Sequence, residues 1–384
     1  MPSFKLIAVA GLALRVGALF IGPGFFGDEA AFGAWARGMA EYGLDYRAAG
    51  GWGNYPLVLW LLWPLGFLTG TAQQVAIRAL SIPFDLAIGW VLYRELRNRG
   101  EGGARVAAAA WLLNPAVIIA GALWGQVDAI GALPMLGATL LATRKPATAG
   151  GLAALAVLVK PQFAIGAILV AIALPRRKEA WARAVAGAVI AVDVVLLPLG
   201  IGPGGYASLL VSSVNQYGAA SSYAFNLWGW LLGFGPEDGA WRWPATVAFV
   251  AAVAAIVIVR RDRTDLAGLL ATGALIGLAL YFIPTRVHDR YLYGAIVFLA
   301  PIAGIAPRTR RAIAVLSAWF AAALYYSLAH DSALGYPPIR LDRLGISAGS
   351  VAMIVAGLWA AVTAWQVRPA SGPDPSARLV QTPG

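Results

Sequence analysis

Residues 266–306 read LAGLLATGALIGLALYF, then IPTRVHDRYLY, then GAIVFLAPIAGIA. Two apolar runs flank a junction holding two arginines, an aspartate and one of only two histidines in the chain. An α-helix needs about 17–25 predominantly apolar residues to cross the roughly 30 Å of bilayer hydrocarbon. Runs such as AAWLLNPAVIIAGALWG (109–125) and WPATVAFVAAVAAIVIV (243–259) meet that requirement. Of the 384 residues, 60% are apolar and 12% charged, against about 45–50% and 25% in soluble domains. Backbone groups in hydrocarbon must be satisfied within the spanning element, so an all-α, polytopic membrane protein is expected.

The absence of cysteine excludes disulfides, iron–sulfur clusters and thiol catalysis. A net charge of +11 would suggest nucleic acid in a soluble protein. Here the charges gather in short loops, as the positive-inside rule requires, and nucleic acid is not the expected partner. The basic loops are 94–105, Arg144-Lys145, 176–183, 260–263, 308–311 and the tail from Arg368. If all face the cytoplasm with Lys5, an even number of crossings separates each neighbouring pair. The crossings are then 6–22, 75–93, 104–121, 127–143, 147–160, 161–174, 180–199, 243–259, 265–283, 291–306, 312–329 and 346–366, twelve in all. The run 55–70 is short for a span and interrupted by Pro64, so it reads as an external helix dipping into the bilayer surface. Residues 1–366 form one domain, with a large external loop at 23–74 and a disordered cytoplasmic tail at 367–384. Residues 147–160 and 161–174 are each too short for a comfortable crossing, with Lys160-Pro161 at their turn.

On this topology the junction 283–293 faces outward, together with WGQVD (124–128), the loop 200–242 and the segment around His330-Asp331. After Asp28-Glu29, residues Phe32, Trp35, Met39 and Tyr42 share one helical stripe, as in a helix lying in the membrane interface. Asp28 at its start reads locally as a helix cap. Lys160, Arg286, His288 and Arg290 supply cations and donors at outward helix ends. For each alone, snorkelling or a local ion pair is the simpler reading. Together they suit an anion at the membrane surface, and a phosphate fits the planar fork of arginine. Arg15, Arg78 and Asp85 lie within spans and read as one structural network between helices.

Five stretches, in this order, carry a resemblance: GDEAAF (27–32), NYP (54–56), NPAVIIAGALWGQVDAI (114–130), VLVKPQF (157–163) and VHDRYLY (287–293). The chain resembles the GT-C-fold glycosyltransferases that use polyprenyl-phosphate sugars, particularly the mannosyltransferases acting on glycolipids. The resemblance implies that Asp28 is the general base, and that Lys160, Arg286, His288 and Arg290 bind the donor phosphate. Glu29, Tyr55, Gln126, Asp128, Asn226 and Trp228 would contact sugar or acceptor. No cofactor and no metal are expected. The implied partners are a polyprenyl-phosphate sugar, a glycolipid or lipid-linked acceptor, and membrane lipid, with the active site outside the cell membrane. Tyr55-Pro56-Leu57 departs from the YPP of the family, and Asp289 stands where many relatives carry glutamate. The alternative is a transporter or flippase for a lipid-linked sugar. A repeat between the two halves, common in transporters, is not found. Neither a DxD motif, a dinucleotide fingerprint nor a Walker loop points to a nucleotide-sugar enzyme.

Overall fold

The computed structural model describes residues 2–51, 53–330 and 336–367. Asp331 and the tail from 368 lie outside the described residues. Every apolar run assigned as a crossing forms helix. The first 100 residues give α1 (Phe4–Ala18), α2 (Phe26–Tyr42), α3 (Pro56–Leu62), α4 (Gly70–Ala79) and α5 (Ile82–Leu96). Next come α6 (Glu101–Leu112), α7 (Pro115–Ile118), α8 (Asp128–Leu141), α9 (Pro146–Val159) and α10 (Ile165–Ala173). They are followed by α11 (Lys178–Leu196), α12 (Pro203–Gln216), α13 (Leu227–Leu231) and α14 (Arg242–Arg260). The last four are α15 (Leu266–Phe282), α16 (Tyr293–Ile305), α17 (Arg310–His330) and α18 (Arg343–Trp365). Short polar side chains start several of them. Ser3, Asn114, Asp265 and Asp342 accept from backbone N–H groups of the first turn, satisfying donors that the helix itself leaves open.

Helices α15 and α16 are buried on nearly every face and form the centre of the bundle. Helices α11, α14 and α18 do the opposite. They expose Val189, Ile190 and Val194, Val247 and Val250, and Val355 and Leu358, a surface suited to lipid rather than water. Helices α9 and α11 pack with their backbones close: a Cβ on Gly150 would lie 1.9 Å from the Ala184 carbonyl oxygen, the close approach that small residues permit between membrane helices. Among the described residues, five helical stretches are long and apolar enough to cross a membrane, and a sixth joins α6 to 115–123 across a 43° bend.

The directions of the helices separate two ends. Arg94, Arg97, Arg99, Arg144 and Thr264 line one cavity of about 500 Å³, so three of the basic loops share an end. Helices α6 and α15 run away from that end, and α8 and α16 run back toward it. Their far ends carry Trp124, Gln126, Asp128 and the 283–292 junction.

Two expectations are corrected. The stripe of α2 is buried in protein rather than laid into lipid: Phe32, Trp35 and Met39 are buried, while Tyr42 is exposed. The loop 200–242 contains α12, α13 and a two-residue strand β1 (Ser221–Ser222) pairing in parallel with β2 (Val287–His288). The buried charges in the spans form two networks rather than one. Arg15 Nε donates to Asp85 Oδ2 (3.0 Å), whose other oxygen accepts from Tyr293 (2.9 Å). Arg78 turns instead to Glu29 (3.1 Å). Burial without a partner would cost several kcal/mol, which is why each charge has one.

Candidate active site

Asp28 lies in the first turn of α2 but does not cap it; the cap position is Phe25, which makes no side-chain cap bond. The Asp28 carboxylate is instead held by a turn nearly 100 residues away. Beyond α7 the helix widens into a π turn over Ile119–Leu123, with Trp124 N donating to Ile119 O (2.8 Å). Single π turns recur at functional sites because the extra residue re-aims the side chains that follow. Gly125 has φ +93°, a conformation that favours glycine. Phe25 N donates to Trp124 O (3.1 Å), fastening the start of α2 to this turn. In consequence Trp124 Nε1 donates to Asp28 Oδ2 (2.7 Å), and Gln126 Nε2 donates to the same oxygen. Arg290 Nη2 lies 3.8 Å from the other oxygen, Oδ1.

Asp28 opens onto a cleft of about 420 Å³. Phe32, Trp35 and Tyr55 meet near one another at its wall, with Trp35 edge-on to both rings at 5.4 and 5.7 Å. The facing wall is Tyr217, Tyr223, His288 and Arg290. His288 is placed by the β1–β2 pairing and meets Tyr217 edge to face at 4.7 Å. The Arg290 guanidinium sits 5.8 Å from the Trp124 ring, and its Nε is buried without a hydrogen-bond partner. Asp28 is 21% exposed, whereas Asp289 is 3% and Asp128 1% exposed. Asp289 also borders the cleft, but of these three carboxylates Asp28 is the most open to a ligand.

Burial, then the nearby charges of Arg290 and Lys160, hold the His288 imidazole well below its usual 6.5. His288 is therefore a neutral hydrogen-bonding group near neutral pH, not the cation expected from the sequence. Burial pushes Asp289 up to about 6, with Arg290 pulling the other way.

The eleven residues expected at the site divide into three groups. Asp28, Tyr55, His288 and Arg290 line the cleft. Gln126, Asp128 and Lys160 lie behind it, joined by Lys160 Nζ donating to Gln126 Oε1 (2.7 Å) and Asp128 Oδ2 (2.9 Å). Lys160 is 2% exposed and does not snorkel. The other four are engaged elsewhere. Arg286 is clamped on Asp238 (2.8 Å) and on the Val214 carbonyl (2.9 Å). Glu29 accepts from Gly24 N and pairs with Arg78. Asn226 caps α13 and donates to Tyr281 O (3.1 Å). Trp228 donates from Nε1 to Ile283 O (2.9 Å). Trp124, Asn54, Gln216, Tyr217, Ser222 and Tyr223 line the cleft without having been singled out. Trp124 and Asn54 stood in quoted motifs; Gln216 ends α12, Ser222 lies in β1, and Tyr217 and Tyr223 lie in loops, with no pattern to mark these four.

Chemically, a carboxylate anchored through one oxygen can accept a proton on the other, and an arginine beside it can hold an anion. Among the described residues, no three His, Asp or Glu side chains gather as a metal site. A search of curated proteins finds no match to the sequence. The family profile described as Glycosyltransferase family 87 matches residues 52–284, a stretch that includes Tyr55, Gln126, Asp128 and Lys160 and ends just before His288. With an apolar helical bundle around the cleft and a family profile over more than half its length, the chain belongs to Glycosyltransferase family 87 and is a membrane glycosyltransferase of the GT-C type.

Proposed function

We propose that the protein transfers a hexose, mannose by preference, from a polyprenyl-phosphate donor to a hydroxyl of a glycolipid or other acceptor, with inversion. Asp28 takes the proton from the acceptor hydroxyl as that oxygen bonds to the anomeric carbon. The bond from the anomeric carbon to the phosphate oxygen breaks, and the polyprenyl phosphate leaves as an anion. An anionic leaving group of this kind needs no general acid if donors meet the developing charge. Arg290 supplies a cation there and His288 a neutral N–H. The reaction takes place on the external face of the cell membrane, in a single domain with twelve crossings and the basic loops inside.

The observation that carries the reading is the accessible Asp28 carboxylate in one cleft with His288 and Arg290, under a wall of aromatic rings of the kind that packs against sugars. The test is to give purified protein a membrane lipid extract with polyprenyl-phosphate mannose, glucose or arabinose. A new glycosylated lipid and released polyprenyl phosphate are expected, first with mannose. Consumption of none of the three, with movement of a labelled lipid-linked sugar across vesicles, would overturn the reading in favour of a transporter.

A further inference from the structure

Behind the cleft, five side chains from three segments form one line of hydrogen bonds. Gln162 Nε2 donates to Asp128 Oδ1 (3.2 Å), and Lys160 Nζ donates to Asp128 Oδ2 (2.9 Å) and Gln126 Oε1 (2.7 Å). Gln126 Nε2 then donates to Asp28 Oδ2. Lys160, Gln126 and Asp128 are each no more than 2% exposed, and none of them lines the cleft. The Tyr55 ring, itself part of the cleft wall, lies 5.5 Å from the Lys160 ammonium. A lysine so placed touches no ligand.

A glutamine amide has two nearly isosteric orientations. Lysine carries only donors, so it accepts one of them, with Oε1 toward Nζ. The flipped amide would set Nε2 against Nζ and Oε1 against the Asp28 carboxylate, two like-sign contacts in a buried place where each is costly. We infer that Lys160 is a positioning residue: it orients Gln126 so that Gln126 and Trp124 hold Oδ2 of Asp28, which leaves Oδ1 as the oxygen that takes the proton. This rests on the proposed role of Asp28 as the base. It replaces the role in phosphate binding expected for Lys160 from the sequence.

The test is the rate against pH for Gln126→Glu, with Lys160→Gln beside it. The charged and titratable groups facing Asp28 are Arg290 at 3.8 Å, His288, Asp289 and Tyr55 in the cleft, and the Lys160–Asp128 pair behind. Gln126→Glu still accepts from Lys160, but it cannot donate to Asp28 and adds a like charge. The acid limb of kcat/KM should move up by about one pH unit or more, and kcat should fall by up to about 10²-fold. Lys160→Gln should lower kcat while leaving the KM for donor within about twofold. In a Gln126→Met background it should cost nothing further, because a residue acting only through its neighbour is not additive with it. Should Lys160→Gln fail to fold, the Gln126 variants, which keep the Lys160–Asp128 pair, decide alone. A wild-type pH profile and turnover in Gln126→Glu would overturn the inference, as would a donor KM raised more than about tenfold by Lys160→Gln at unchanged kcat. Normal turnover in Asp28→Asn would remove the base itself. An inactive Asp28→Asn beside a wild-type Gln126→Glu profile would sink the positioning role alone.

Discussion

Arg290 Nη2 lies 3.8 Å from Asp28 Oδ1, while Nε of the same guanidinium is buried with no partner. An arginine buried among a carboxylate, a tryptophan face and an unfilled donor is poised for one more acceptor. A phosphate oxygen would complete it.

Replacing Arg290 is therefore expected to act on the donor. A charge-assisted hydrogen bond contributes about 1.5–3 kcal/mol, so Arg290→Gln should lower kcat/KM for donor by roughly 10- to 100-fold. Arg290→Lys should recover only part, since a point charge lacks the planar fork. Steady-state kinetics with varied donor check this. An unchanged kcat/KM would detach Arg290 from the phosphate.

The His288 imidazole is held neutral, so protonation of His288 should leave no inflection near 6.5 in kcat/KM. Asp289 gives a different signature, in stability. Its folded value of about 6 lies above the usual 3.8. The folded state therefore binds the proton more tightly than the unfolded one. That contribution is full below 3.8 and is lost as pH rises through about 6. Against Asp289→Asn, the wild type should lose up to about 3 kcal/mol between those limits, at about 1.4 kcal/mol per pH unit. Thermal melts of both proteins across that range give the comparison. Parallel curves would contradict it.

Arg286 is expected to matter for stability rather than for donor use. Asp238 is buried and accepts from Arg286 and from Thr285 Oγ1 (2.9 Å). Arg286→Gln should destabilise the fold by about 1–3 kcal/mol by leaving a buried acceptor under-satisfied. The KM for donor should stay within about twofold of wild type. A donor KM that rises without loss of melting temperature would return Arg286 to the phosphate.

The two ends of the bundle should face opposite sides of the membrane. Cysteine is absent from the chain, so a single cysteine at exposed Gly102 or Ala48 can be probed in whole cells. An impermeant thiol reagent should label Ala48→Cys and spare Gly102→Cys. Labelling from outside at Gly102 would invert the orientation.

The helices were legible because their signal is local. Apolar runs and basic loops mark where the long apolar helices begin and end, though not α12 and α13 inside 200–242, and Lys160-Pro161 does sit between α9 and α10. Legibility failed where a partner is distant in sequence. Arg286 and Asp238 are 48 residues apart and Asn226 and Tyr281 are 55 apart, so nothing nearby reveals that these groups are already engaged. The π turn at 119–123 also leaves no trace in apolar periodicity. It is what turns Asp28 from an apparent helix cap into a residue of the cleft.

The most direct measurement is turnover by purified Asp28→Asn with donor and lipid acceptor, beside the wild type and an Asp45→Asn control. Loss of a general base typically costs about 10²–10⁴-fold. The expected result is an Asp28→Asn protein that melts as the wild type does and releases polyprenyl phosphate slower by that factor, with Asp45→Asn near normal. Near-normal turnover in Asp28→Asn would contradict the account.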